Sequence, residues 1–131
     1  MLAFRAAWVL IPRLPEQFAV RLFRYLGDVA WLRNARDVQR LQRNLSRVTG
    51  LAEESQALRA LTRESMRSYA RYWREMFALG GWDSGEVARR IRVEGKQFID
   101  AGLADGRGVL LAAPHCGNWD LAGVWAAQTY G

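Results

Sequence analysis

Apolar positions recur at helical spacing through the first eighty residues. Phe18, Leu22, Leu26 and Val29, with Phe23 alongside, return every three or four positions, the period of a helix with one buried face. Pro15 suits the first turn of that helix, and Glu16 complements the positive end of its dipole. A second periodic stretch covers Arg33 to Val48. Its apolar stripe is Val38, Leu41, Leu45 and Val48, and Gly50 ends it. A third helix is predicted from Glu53 to Leu79. Leu58, Leu61, Ser65, Tyr69, Tyr72 and Met76 mark one face, Trp73 and Phe77 lie beside it, and Gly80-Gly81 stops it. This aromatic face reads as core, or as one wall of a hydrophobic channel.

The pattern changes after Gly81. Ser84 is placed to cap a short helix through Arg90. Ile91 to Glu94 reads as a short strand, and Lys96 to Ala104 as a helix ended by Gly106. The continuous apolar run Gly108 to Ala113 has the character of a buried parallel strand. A further helix is expected from Gly117 to Thr129. Helices followed by β-α-β-α predict an α/β fold, with a helical N-terminal cap ahead of the first part of a parallel-type sheet. The boundary falls at 80/81, giving a helical region 1–80 and the start of an α/β domain at 81–131. Two strands do not make a covered parallel sheet, so the chain is expected to be the N-terminal portion of an incomplete domain.

Composition narrows the functional classes. The chain has 131 residues, half of them apolar, with six Trp, five Phe and four Tyr, and 24% charged. That excludes a disordered or low-complexity chain. One Cys and one His exclude a disulfide within the chain and a Cys/His metal cluster. The net charge of +6 is carried by residues 1–50, which hold nine Arg against three acids; residues 51–131 hold ten bases and ten acids. Arg33, Arg36, Arg40, Arg43 and Arg47 form a basic stripe at spacings of three and four. This clustering points to an anionic partner, a membrane surface or a nucleic acid, and the arginine stripe raises the membrane reading. The apolar stretch Ala6 to Ile11 is too short to span a bilayer. It reads as an interfacial segment with Trp8 at headgroup level, or as a short helix covering the core.

Candidate chemistry is concentrated in Pro114-His115-Cys116-Gly117-Asn118-Trp119-Asp120. The single histidine follows the apolar run and precedes a helix, the place where ligands gather in open α/β sheets. Asp120, five residues later, is spaced to fold back and hold one ring nitrogen of His115, leaving the other to take a proton from a substrate hydroxyl. Asn118 fits an N-cap, an oxyanion donor or an acceptor-binding residue. Trp119 fits core or substrate platform. Asn118, Trp119 and Arg107 are the substrate-binding candidates. Cys116 beside His115 makes a poor dyad, because adjacent side chains point apart, and it is expected to be a small buried thiol. Gly106-Arg107-Gly108 precedes a strand and is no dinucleotide fingerprint.

His115 to Asp120 resembles the H-x-x-x-x-D/E motif of the lysophospholipid and lipid A acyltransferase superfamily. Gly106 to Gly123 as a whole, together with Leu41-Gln42-Arg43-Asn44-Leu45 and Met66 to Trp73, resembles the actinobacterial phosphatidylinositol mannoside acyltransferases. The resemblance covers the chain from about Pro15 onward. Aspartate at position 120 favours the mannoside branch over the lipid A branch, where glutamate is usual. Cys116 departs from the serine expected in that branch. The resemblance implies a membrane-associated acyltransferase that moves a palmitoyl group from acyl-CoA to a mannose hydroxyl, with His115 as general base and Asp120 as its orienter. It implies no metal or bound cofactor, acyl-CoA being a co-substrate. It implies a peripheral place at the cytoplasmic face of the cell membrane, with a glycolipid acceptor and an anionic membrane surface as partners. The family is about twice this length, so the chain alone is expected to be inactive. The competing readings are a lipid A type transferase using acyl carrier protein and a non-catalytic lipid-binding fragment. No nucleic-acid motif is present, and nucleic acid is not expected as a partner.

Overall fold

The computed structural model describes residues 2–106, 108–114 and 116–131. Its contacts divide the chain into two compact units, residues 1–80 and 81–131. The first unit holds α1 (Leu2–Leu10), α2 (Glu16–Arg33), α3 (Arg36–Thr49) and α4 (Gln56–Ala78), with single 3-10 turns at Ile11–Arg13 and Leu79–Gly81. The second begins at the end of the latter turn and holds α5 (Ser84–Arg90), α6 (Lys96–Ala104) and α7 (Trp119–Tyr130).

α4 organises the first unit. Ser55 caps its start, accepting a hydrogen bond from the Leu58 amide at 3.2 Å. Leu58 and Thr62, both wholly buried, begin the face that meets its neighbours. Against that face α2 sets Ala19, Phe23 and Gly27, all buried. Gly27 allows the helices to meet closely, since a Cβ at that position would lie 3.0 Å from the Cα of Arg67 and 3.1 Å from the Met66 carbonyl oxygen. The next residue, Asp28, receives two arginine forks from α4. Arg63 donates at 3.0 and 2.8 Å, and Arg67 at 2.6 and 2.7 Å. Hydrogen bonds from Arg67 and then Arg63 hold the Asp28 carboxyl far below the usual carboxylate range.

Phe77, buried near the end of α4, is the hub of an aromatic cluster. Phe4 and Trp8 of α1 approach it at 5.3 and 5.6 Å, Trp73 at 5.8 Å and Phe23 at 6.5 Å. The aromatic face of α4 is thus core at Phe77, half-covered at Tyr72 and Trp73, and exposed at Tyr69. Trp8 rests on this core while Val9 and Leu10 remain exposed.

The predicted helix Arg33 to Val48 is interrupted at its beginning. Asn34 takes a left-handed conformation (φ 46°) and closes α2, so Arg33 ends α2 and α3 starts at Arg36. Asn tolerates that conformation because its short polar side chain bonds locally. α3 buries Val38 and leaves Val48 exposed. Arg36, Arg40, Arg43 and Arg47 all face outward.

In the second unit α5 packs on α7 and buries Val87. Arg90 stacks over the Trp82 ring at 4.3 Å. The cap of α5 is Asp83, which accepts from the Glu86 amide at 2.8 Å, and not Ser84, which is the first helical residue.

The α/β expectation is overturned. Among the described residues there is no strand and no parallel sheet. Ile91 to Glu94 is loop, and the run Gly108 to Ala113 is non-helical and exposed, Leu110 at 98%. A strand exists through the ladder it shares with a neighbour. These two short segments do not pair with one another, so the apolar run lacks a partner that would make it strand and bury it. Gly102 approaches the run, and a Cβ there would fall 2.7 Å from a Val109 methyl.

Candidate active site

The described part of the candidate site begins where the apolar run ends. The Cys116 amide donates to the Pro114 carbonyl at 2.8 Å. Gly117 follows with φ +68°, a left-handed conformation that disfavours any side chain. Asn118 then starts α7, its Oδ1 accepting from the Leu121 amide at 3.0 Å. Of the three roles open to Asn118, the structure displays the N-cap.

Asp120 is half-buried in the first turn of α7, where the helix dipole favours a carboxylate. Trp119 is exposed rather than part of the core. Cys116 is exposed, against the expectation of a buried thiol, because the segment that carries it has no layer packed over it. His115 and Arg107 lie outside the described residues.

α7 is tied to α6 at its far end. Lys96 donates to Asp100 at 2.7 and 2.9 Å, Tyr130 donates to the same carboxylate at 2.9 Å, and the Lys96 ammonium lies 5.1 Å from the Tyr130 ring centre. Hydrogen bonds from Lys96 and then Tyr130 lower the Asp100 pKa, and bonding to Asp100 and Tyr130 raises that of Lys96. None of these three residues stands out in the sequence. Only the spacing of four between Lys96 and Asp100 hints at their pairing. The sequence reading also assigns no role to Arg67, Arg71 and Arg74, although spacings of four and three put them on one face of α4.

The chain belongs to the family described as bacterial lipid A biosynthesis acyltransferase, whose pattern matches residues 2–131. Within that class it is similar to a phosphatidylinositol mannoside acyltransferase of Mycolicibacterium smegmatis, with 42% identity over 130 residues, 99% of this chain and 42% of the relative. It is also similar to one from Mycobacterium tuberculosis, with 40% identity over 131 residues, 98% of this chain and 40% of the relative. The chain thus spans about two fifths of the length of these relatives. No solved structure gives a significant match.

Proposed function

We propose that the protein is a phosphatidylinositol mannoside acyltransferase, moving a fatty acyl group such as palmitoyl from acyl-CoA to a mannose hydroxyl. The observation that carries this reading is the 40–42% identity, along almost the whole chain, to relatives bearing that name. In the proposed reaction His115 takes the proton of the mannose hydroxyl as its oxygen attacks the thioester carbonyl. The tetrahedral intermediate expels the CoA thiolate, which receives that proton from the imidazolium. Asp120 orients the ring and stabilises its charged form. The acylating thioester needs no enzyme nucleophile, so exposed Cys116 has no part. Trp119, Asn118 and Arg107 are the candidates for holding the substrates.

The same reading places the protein at the cytoplasmic face of the cell membrane, attached rather than inserted. It is supported by the outward arginines of α3 and the exposed apolar residues of α1. Among the described residues no helix is long and apolar enough to cross a membrane.

The test uses the protein expressed from its full reading frame, palmitoyl-CoA and purified phosphatidylinositol mannoside, with product followed by mass spectrometry. Acylated mannoside is expected from the native protein, and a loss of at least about a hundredfold from His115→Ala. Product formed equally by His115→Ala would overturn the mechanism. The family description names lipid A biosynthesis, and the competing substrate set is a lipid A precursor with acyl carrier protein as donor. Product from that pair, and none from the mannoside, would replace the reading.

A further inference from the structure

A cavity of about 280 Å³ lies between α2 and α4 in the first unit. Arg24 of α2 and Arg67, Arg71 and Arg74 of α4 line it, with Glu64 as the one acid among the lining residues. Val20 and Phe23 give it an apolar side, and Ser68 adds a hydroxyl.

The four arginines fall into two pairs. The inner pair is fixed. Arg67 is forked onto Asp28 and bonded to Glu64, and the buried Arg74 lies 3.3 Å from Glu75 and 3.8 Å from Glu16. These acids offset the inner charges and hold both guanidinium groups oriented before any ligand arrives, which lowers the entropic cost of binding. The outer pair is held less tightly. Arg24 is exposed and takes part in none of the described ion pairs that join the two helices. Arg71 is exposed and makes a looser ion pair, 3.8 Å, with Glu75, an acid it shares with Arg74.

Guanidinium groups match the oxygens of a phosphate in pairs, and an oriented cluster is the usual protein answer to that anion. The cavity is of the size of one such group and part of its substituent. We propose that the arginine groove between α2 and α4 binds the phosphate of a phosphate ester, with Val20 and Phe23 packing against the apolar part of an amphiphilic one. The phosphate is either a lipid headgroup or free in solution. Binding here requires neither His115 nor acyl transfer, so the proposal stands or falls apart from the reaction.

The test is a titration of the 131-residue chain, with arginine side-chain N–H groups followed by NMR. The probes are inorganic phosphate and monomeric dihexanoyl phosphatidylglycerol. Saturable shifts confined to Arg24, Arg67, Arg71 and Arg74 are expected. Arg24→Gln with Arg71→Gln should weaken binding about tenfold or more. Arg40→Gln with Arg43→Gln, which removes the same charge from exposed α3, should change it by less than about twofold. Tighter binding of the lipid probe assigns the groove to a headgroup, and equal binding assigns it to free phosphate. Equal losses in both double variants, shifts spread over all arginines, or no saturable binding would overturn the proposal. Should the first double variant fail to fold, the shift map of the unaltered chain still decides.

Discussion

Asp28 carries a strongly perturbed charge, and the cause is the two arginine forks that converge on it. A depressed carboxylate contributes stability in full above its unfolded pKa, and loses it as pH falls through the folded value. The unfolded value is about 3.9. Urea unfolding of the native chain and Asp28→Asn should therefore show a constant stability gap above about pH 5, narrowing as pH drops below about 4. A gap that widens on acidification would contradict this origin. Gly27, one residue earlier, is a separate lever. Its α-hydrogen faces backbone atoms of α4, which give way less readily than side-chain ends. Gly27→Ala should cost about 1–3 kcal/mol through overpacking, read as a lower urea midpoint at an unchanged slope. Neither residue is distinctive in the sequence, because close approach and ion pairing are properties of two helices and each helix reports only its own periodicity.

At the scale of elements, the helices are legible and their ends less so. Four apolar residues per two turns announce α2, α3 and α4 before any contact is known. The separation of α2 from α3 is legible, but its position is not: the basic stripe runs from Arg33 onward, and only the left-handed turn at Asn34 shows that Arg33 belongs to α2. The cap of α5 is misplaced by one residue because Asp83 and Ser84 are both good caps, and the backbone selects the aspartate. Asn118 is legible, a capping side chain directly ahead of a helical run. Asn118→Ala should lower stability by ~1 kcal/mol in thermal unfolding. The same change should loosen the turn that carries Asp120, so its effect on transfer by the full-length protein should exceed its effect on stability. The strand expectation fails for a different reason. Apolar runs of six residues encode a demand for burial, whereas the ladder that makes them strand is supplied by other segments.

Over the whole molecule, the family is legible from the residues around His115 to Asp120 and their flanks, and the match to residues 2–131 bears that out. The arrangement of His115 against Asp120 lies outside what is described here, so the candidate site is legible as a motif before it is visible as geometry. Charge acts at this scale too. With its excess confined to residues 1–50 and four arginines of α3 facing outward, the chain should bind vesicles containing anionic lipid and ignore neutral ones. Co-sedimentation should fall steeply between low and physiological salt, as charge screening requires. Binding that is indifferent to both salt and lipid charge would transfer the role to the exposed apolar residues of α1.

The bare apolar run at Val109, Leu110 and Leu111 bears on how the chain behaves in company. Non-helical, uncharged and exposed, it offers apolar surface and backbone groups for another segment to join. At rising concentration the chain should self-associate through this segment, gaining β-type infrared absorbance that the isolated helical protein lacks. Leu110→Lys places a charge in the middle of that run, a device by which natural sheets keep edges apart. Light scattering should then stay low where the unaltered chain turns cloudy.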